Sequence, residues 1–319
     1  MAHELATFID GRARMAYVGE TPWHGLGQQL TPGASLDTWA KESGMDFQIL
    51  GSPVLYKDAQ NSIIAQGSKQ VLFREDTSTP LGVVGNKYKV VQPIEVLEFF
   101  RDLVAEQGFQ LETAGVLFNG AKYWAMARTG QEFKIGKNDV LKDYLMLATA
   151  CDGTLRTTAR RTSIRVVCNN TLSLSNKDAL SDVKVSHSST FDADDVKKQL
   201  GLRQDDWDDF KTKAQILSET RLTDIQALNF VKSLYGDKNH TQISKTLQLY
   251  SGQGIGAEFN TSKETAWGML NAVTEVADWH QGKNQDRRLE SAWLYTGNNM
   301  KMEAFDLLMK IANSESIMA

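Results

Sequence analysis

The chain has 319 residues, of which 41% are hydrophobic and 23% are charged, so its composition is that of a globular protein with one large or two ordinary domains. Its formal net charge of -4 excludes a protein that is basic over its whole surface. The chain begins with no basic segment followed by an apolar run, and no apolar stretch is long enough to span a bilayer, which predicts a cytoplasmic protein that does not contact membranes.

Residues 1–108 predict two helices that flank a β-rich region. Ser35 is an N-cap for the first helix and Gly44 its stop. Short β-like runs fill residues 46–75, and Pro93 then opens a second helix that ends at Gly108. An N-terminal loop contains Trp23 and His24, for which both a binding role and a packing role are open.

A first β-hairpin is predicted around the dipeptide "NG" at 119–120, because this pair tolerates the positive φ angles of a two-residue type I′ turn. Counting outward from that turn places Lys122, Trp124 and Arg128 on one face of one strand. The predicted cross-strand pairs are Leu117 with Lys122, Gly115 with Trp124, and Leu111 with Arg128.

A second hairpin is predicted around "DG" at 152–153 by the same reasoning. Its more apolar face should be the core, and Arg156 and Arg160 should point away from that core. The pairs on the apolar face are Met146 with Ala159, Ala148 with Thr157, and Ala150 with Leu155.

Helical periodicity replaces the β pattern after the segment "SHSSTFDADD" at 186–195. The predicted fold is therefore α+β, with a mainly antiparallel, hairpin-rich sheet and its helices in a domain at 1–190. An α-helical region at 191–319 should pack on that domain.

The charge is shared unevenly along the chain. Residues 122–170 contain nine lysines or arginines and four acids, whereas residues 182–224 contain seven and ten. Such asymmetry is typical of a polyanion-binding face that the net charge conceals. The alternative is that an acidic helical layer neutralises a basic sheet across an internal interface.

The basic stretch "GTLRTTARRTSIRVVCNNTL" at 153–172 supplies cations beside hydroxyl and amide groups, and the first hairpin adds an aromatic ring. Cations that follow phosphates and rings that stack on bases are the means by which proteins hold single-stranded nucleic acid. Two alternatives stay open, since Trp124 could be a core ring and "NNT" could only shape a turn. The candidate nucleic-acid-binding residues are Lys122, Trp124, Arg128, Arg156, Arg160, Arg161, Arg165, Asn169 and Asn170.

The usual cofactor and catalytic motifs are absent. The segment "GQEFKIGKN" at 130–138 has the wrong spacing for a phosphate loop, and the glycines at 252–256 have the wrong spacing for a dinucleotide fingerprint. The two cysteines, Cys151 and Cys168, form no C-x-x-C pair, and a nucleophile pair of Cys168 with His187 or His24 has no orienting pattern. We expect no cofactor and no metal.

Two further functions compete with nucleic-acid binding. Glu132 and Lys134 match the E-x-K tail of Mg²⁺-dependent nucleases, and Glu112 on the preceding strand could supply a second carboxylate. The other alternative is a non-enzymatic protein that binds a host factor.

Several segments also resemble a known family. "NKYKVVQPIEVLEFF", "AGVLFNGAKYWAMAR", the basic stretch and "TAWGMLNAVTEVADWH" together resemble the phage/plasmid-like proteins, a domain of unknown function found in prophages and plasmids, and "PWHGLG" matches their N-terminal loop. More loosely, the predicted architecture is similar to that of RecT and Erf type single-strand annealing proteins. The resemblance implies a mobile genetic element of bacteria, and we expect a homo-oligomer that binds and anneals single-stranded DNA.

Overall fold

The computed structural model of the chain describes residues 7–19, 26–165, 170–173, 182–201, 205–281 and 285–318. The fold is α+β, as predicted. None of the helices in this described part is long and apolar enough to cross a membrane.

The strands come mostly before the helices along the chain. The strands are β1 (Met15–Val18), β2 (Gln28–Leu30), β3 (Ile49–Lys57), β4 (Ile63–Arg74), β5 (Pro80–Gly85), β6 (Gln110–Leu117), β7 (Lys122–Ile135), β8 (Asp139–Ala150), β9 (Thr157–Arg165), β10 (Asn170–Ser173) and β11 (Val183–Val185). The helices are α1 (Leu36–Ser43), α2 (Pro93–Gln107), α3 (Ala193–Gly201), α4 (Asp205–Glu219), α5 (Asp224–Tyr235), α6 (His240–Gln248), α7 (Ala266–Glu275), α8 (Gln285–Leu294) and α9 (Thr296–Met318).

The strands form two sheets. The larger has the order β10-β9-β8-β7-β6-β1-β2, and β11 pairs with β9 beside β10. All its neighbours are antiparallel except β1 and β2, which are parallel. A separate antiparallel sheet has the order β3-β4-β5.

Both faces of the large sheet are buried. Along β7, Tyr123 and Ala125 belong to a core shared with α1, α2 and the small sheet, whereas Trp124 and Met126 belong to a core shared with α8. Successive side chains of a strand point to opposite faces, so this alternation means that the sheet is a middle layer. The same holds for the second hairpin, where Leu145 and Leu147 belong to one core and Met146 and Ala148 to the other, so the prediction that its more apolar face alone is the core is wrong.

The predicted helix ends in the first half are confirmed. The Ser35 side chain accepts a hydrogen bond from Thr38 N, and Gly44 ends α1 with φ of 73°. Pro93 opens α2, and Gly108 ends it with φ of 70°. Glycine has no Cβ to clash in this left-handed conformation, which is why both helices stop there.

The first predicted hairpin is largely confirmed. Leu117 pairs with Lys122 and Gly115 with Trp124, but Arg128 pairs with Gln110 instead of Leu111. The difference arises at Glu112, which is an extra residue in β6 and therefore a β-bulge. The turn is also longer than predicted, since four residues, 118–121, connect the strands, and φ is positive from 118 through 120.

The register of the second hairpin is wrong by one residue. Met146 lies opposite Arg160 and Ala148 opposite Thr158, because six residues, 151–156, connect the strands in place of two. A slip of one residue moves every side chain of a strand to the opposite face. Arg160 therefore lies on the face of Met146, and Arg161 lies on the other.

The helical half has its own core, which the large sheet helps to complete. Ile135 and Leu141, at the tip of the β7–β8 hairpin, are 0% and 1% exposed and pack in the same cluster as Trp207 and Trp267. The two halves of the chain are thus joined through a shared apolar cluster.

Candidate functional site

Three of the four arginines in the basic stretch are held inside the protein. The side chains of Arg160, Arg161 and Arg165 on β9 are 7%, 10% and 2% exposed, and each forms an ion pair with an aspartate. A buried charge is tolerated only when it is paired and hydrogen-bonded. These arginines are therefore built into the fold.

Arg160 joins the sheet to two other segments. Its Nε and Nη2 donate to the two carboxylate oxygens of Asp182 at 2.7 and 2.5 Å, and its Nη1 donates to the Trp293 carbonyl oxygen at 2.6 Å. Burial raises the pKa of the Asp182 carboxyl, but the hydrogen bonds from Arg160 outweigh burial and hold that pKa below its usual range. The expectation that Arg160 points away from the core is wrong.

Arg165 joins the sheet to the helical half. It donates to both carboxylate oxygens of Asp139 at 2.6 and 2.8 Å and to Ser262 Oγ at 2.8 Å. Asp139 also accepts hydrogen bonds from Thr261 Oγ1 at 3.0 Å and Trp267 Nε1 at 2.9 Å. Arg165 also contacts the carbonyl oxygen of residue 256, at 3.3 Å, so the glycine-rich loop at 252–256 is fixed to this network.

Arg161 pairs with Asp143 on the neighbouring strand β8, and Thr129 Oγ1 donates to the same carboxylate at 2.7 Å. Burial is the main influence on Asp143 and raises its pKa despite the arginine. This pair is internal to the sheet.

Lys122 is also internal. Its Nζ lies 2.9 Å from Asp152 Oδ2 and 2.9 Å from Glu290 Oε1, and the residue is 5% exposed. Burial lowers the pKa of Lys122, but the hydrogen bonds to the two carboxylates outweigh it and leave that pKa raised. Acids of the same chain neutralise this lysine and the three arginines, but most of them lie on β8, in the loop after it or just before β11. Of these partners only Glu290 is on a helix, so the predicted acidic helical layer is not what neutralises these residues.

Trp124 is a core residue, 2% exposed, and its ring meets the Trp293 ring edge to face at 4.6 Å. A ring in this position does not offer a face on which a base could stack. Arg128 is partly accessible, with a side chain that is 27% exposed, and its Nη2 lies 3.3 Å from Glu132 Oε2.

Arg156 is the exposed arginine of the basic stretch. It lies in the loop 151–156 rather than on a strand, and no ion pair of its side chain is present within the described residues. It lines a cleft of about 600 Å³ between the β9–β11 edge of the sheet and the start of α9. We call this the β9–α9 cleft and define it by Arg156, Thr158, Lys184, Tyr295, Asn299 and Glu303.

The β9–α9 cleft combines accessible cations with a ring and an amide. Lys184 is 49% exposed and lies 3.1 Å from Asp182, whose charge Arg160 already balances. Tyr295 is half-buried, and its hydroxyl donates to the Thr154 carbonyl oxygen at 2.9 Å, which fixes the ring against the loop.

The loop that carries Arg156 is held from below. The Asp152 side chain accepts from Thr154 N and Thr154 Oγ1 at 2.9 and 2.6 Å. His187 lies under the loop, with its Nε2 3.0 Å from the Leu155 carbonyl oxygen. A Cβ on Gly82 would lie 2.6 Å from Asp152 Cα, so glycine is needed for the small sheet to pack this closely. The loop is a rigid support for the cleft.

Several predicted residues cannot be placed in a site. Asn169, Cys168, Trp23 and His24 lie outside the described residues. Asn170 begins β10, where only its backbone pairing with Arg165 is described.

The chain is matched by a known family over much of its length. The family described as a domain of unknown function, DUF932, matches residues 80–293, which include the whole basic stretch. The chain belongs to the DUF932 family. No curated protein and no solved structure matches it. The DUF932 match contains Arg156 and Lys184 of the cleft, whereas Tyr295 and Asn299 follow its end.

Sequence reasoning missed Lys184, Tyr295 and Asn299. Lys184 is a single cation beside an acid, and the other two residues lie at the junction of two helices, where no pattern distinguishes them. Only the spatial meeting of β11 with α9 makes them neighbours of Arg156.

The residues of the nuclease alternative are separately engaged. Glu132 faces Arg128, and Glu112 accepts a hydrogen bond from the Tyr144 hydroxyl at 2.7 Å. Lys134 is exposed on β7. In the part of the DUF932 chain that the structure describes, no group of three or more His, Cys, Asp or Glu side chains could hold a metal ion.

Proposed function

We propose that this protein binds single-stranded DNA in the β9–α9 cleft and that it serves recombination or replication of a phage or plasmid in the bacterial cytoplasm. The observation that carries the proposal is that Arg156 is exposed, has no ion-pair partner among the described residues, and lies beside Lys184 and the Tyr295 ring. The predicted set of basic residues is narrowed accordingly, because its other arginines on β9 have acidic partners.

The chemistry of the cleft suits a single strand. Cations that contact phosphates give affinity without sequence reading, and an aromatic ring adds stacking energy for any base. Asn299 is exposed in the cleft and supplies a donor and an acceptor. The paired charges of Asp182 and Arg160 offset one another, so the acid of the cleft that opposes a phosphate beside Arg156 and Lys184 is the exposed Glu303.

Few accessible cations line the cleft, so the binding should be only moderately sensitive to salt. The affinity for single strands falls with salt in proportion to the number of phosphates neutralised, with a slope of roughly 0.7 per phosphate in logarithmic units. Removal of Arg156 should flatten that slope by about 0.7.

A binding titration with fluorescent oligothymidine of about 16 nucleotides at two salt concentrations tests the proposal. Arg156→Ala and Lys184→Ala should each weaken binding and flatten the slope, whereas Lys137→Ala, at an exposed turn of the same sheet, should do neither. Unchanged affinity and slope in the Arg156→Ala/Lys184→Ala double variant would refute binding in this cleft.

The ring is tested separately. Tyr295→Ala should weaken binding by about 1 to 3 kcal/mol, and Tyr295→Phe should retain most of the affinity, because stacking needs the ring and not the hydroxyl. Equal losses in both variants would assign the effect to the hydrogen bond with Thr154 and hence to the loop.

Strand annealing is the further step of this proposal and needs two strands held together. We expect a homo-oligomer in which each copy presents one cleft. The mass of the complex with oligothymidine, measured by light scattering, gives the number of protein copies. A complex of one copy with one strand would support DNA binding and contradict annealing.

A further inference from the structure

A second cavity lies on another part of the molecule, between α1, α2 and one end of strands β6–β8. Its volume is about 710 Å³, which is within the range of roughly 300 to 1,000 Å³ typical of small-molecule sites. None of its lining residues belongs to the β9–α9 cleft. We call it the α1–α2 cavity and define it by Trp39, Val104, Leu111, Glu112, Arg128 and Lys142.

Two β-bulges converge on this cavity. Glu112 is the extra residue of β6, since Leu111 pairs with Ala127 and Thr113 pairs with Met126. On β7, Arg128 pairs with Tyr144 and Glu132 pairs with Lys142. Three residues of β7 therefore lie between these two pairs, whereas β8 has one. Bulges bend a strand and redirect its side chains, and they are enriched beside binding sites. These two bring side chains from three strands to the same cavity.

The cations of the cavity are incompletely paired. Lys142 is half-buried, and no hydrogen bond or ion pair of its side chain is present among the described residues. Arg128 reaches Glu132 with Nη2, but its Nε is fully buried and has no hydrogen-bond partner. A buried donor without a partner is unfavourable, so a rotation of the partly exposed Arg128 side chain that brings Nε to a ligand oxygen in the cavity would be favoured.

The remaining walls of the cavity are largely apolar, and the third cation that lines it, Arg101, is paired with Glu98 and Asp102. The Trp39 ring, Leu111 and Val104 offer hydrophobic surface, and one oxygen of Glu112 already accepts a hydrogen bond from the Tyr144 hydroxyl. An incompletely paired arginine and a lysine without a partner among the described residues lie beside an apolar wall, and this arrangement is complementary to a molecule with one charged end and one apolar body.

We propose that the α1–α2 cavity binds a small organic anion, whose carboxylate or phosphate is held by Lys142 and Arg128 and whose apolar body lies against Trp39, Leu111 and Val104. Glu112 limits the affinity, because its charge faces the same space as the bound anion. The proposal does not depend on DNA binding in the other cleft.

The first test uses anilinonaphthalene sulfonate, an anionic ring compound that fluoresces in apolar surroundings, as the probe. We expect it to bind the wild-type protein at one site, with energy transfer from tryptophan. Lys142→Met keeps the apolar stem of the side chain and should weaken binding about tenfold, the usual effect of losing one charge-assisted contact. Lys137→Met, at the exposed turn, should bind the probe like the wild type.

The sign of the effect at Glu112 distinguishes an anion from other ligands. Glu112→Gln removes the opposing charge and should tighten binding of the probe by about threefold to tenfold, while Arg156→Ala in the other cleft should leave it unchanged. Weaker binding in Glu112→Gln would overturn the proposal, since it would mean that the cavity accepts a cationic group.

Competition identifies the charged end. Octyl phosphate and octanoate should displace the probe, and whichever displaces it at the lower concentration gives the preferred head group, while octanol should not displace it. If octanol displaces the probe as effectively as the two anions do, the proposal is overturned. It is also overturned if the wild-type protein does not bind the probe, or if Lys142→Met binds the probe as tightly as the wild type does.

Discussion

Arg160 and Asp182 form a two-point ion pair, with Nε to Oδ1 at 2.7 Å and Nη2 to Oδ2 at 2.5 Å, at the junction of β9 with the segment before β11. Their side chains are only 7% and 12% exposed. An arginine selected from the sequence as a phosphate contact thus has an anion of its own chain as its partner. The same pair supports the base of the β9–α9 cleft, so it acts on that cleft through the fold.

Removal of Arg160 should destabilise the protein strongly. Arg160→Ala leaves the Trp293 carbonyl oxygen without this donor and leaves Asp182 with the exposed Lys184 in place of a two-point partner. Loss of one partner of a buried pair costs about 3 to 5 kcal/mol. Urea unfolding measures the change. Arg156→Ala is the matched control and should stay within about 0.5 kcal/mol of the wild type, because its side chain is exposed. Equal stability of the two variants would contradict the buried pair.

The Asp182 pair also predicts a difference in acid. Because the pKa of Asp182 in the folded protein lies below its ordinary value of 3.8, the pair's contribution is fully present above that value and is lost as the pH falls through the folded pKa. Asp182→Asn has no such carboxylate. The gap in unfolding free energy between wild type and Asp182→Asn should therefore narrow below about pH 4. A gap that is constant across that range would show that the pair does not hold the Asp182 charge.

Substitution of Trp124 should lower the stability of the protein, and the Trp124 ring should not contact DNA. The ring is buried against Trp293, so Trp124→Ala should cost about 3 to 5 kcal/mol, the usual cost of removing a large core side chain. Trp124→Phe keeps an aromatic ring and should cost less. In a variant whose single tryptophan is Trp124, addition of an oligonucleotide should leave the fluorescence unchanged. Quenching of that fluorescence would contradict the place of Trp124 in the core.

The two hairpins show which parts of the fold could be predicted from the sequence and which could not. Local turn chemistry was sufficient for the pairing of Gly115 with Trp124, because the residues on both sides of the turn are equally spaced. It failed at Glu112, since a bulge depends on what packs beside the strand, and it failed in the second hairpin, where the loop 151–156 is fixed by Tyr295 and His187. Neither partner is near in sequence.

The candidate site was harder to predict than the fold for the same reason. The basic stretch is visible in the sequence, but the acids that neutralise it, Asp139, Asp143 and Asp182, lie up to 26 positions away and become partners only through strand pairing. Arg160 and Arg161 lie on opposite faces of β9 and both have acidic partners, so the register of the strand does not decide which arginine is accessible. Arg156 is left accessible because it falls in the loop.

Cys151 should be chemically inert in the folded protein. It is 0% exposed, and burial raises the pKa of its thiol to about 12, so almost no thiolate is present near neutral pH. In a Cys168→Ser variant, a maleimide should label no thiol until denaturant is added. Rapid labelling of that variant under native conditions would mean that the end of β8 opens readily.

The Asp139 network should make the two halves of the chain unfold together. Asp139 receives hydrogen bonds from Arg165 on the sheet and from Thr261 and Trp267 of the helical half, and it is 1% exposed. Asp139→Asn removes the charge that balances Arg165 and should cost about 3 to 5 kcal/mol, whereas Lys137→Ala at the exposed turn should cost almost nothing. Because the tip of the β7–β8 hairpin lies in the helical core, circular dichroism of the helices and tryptophan fluorescence should report the same unfolding midpoint in urea.

If Asp139→Asn separates the two transitions, the sheet and the helices have their own stabilities and Asp139 is the link between them. If the variant unfolds at the same urea concentration as the wild type, the charge of Asp139 does not contribute to stability, and the amide of asparagine replaces it fully.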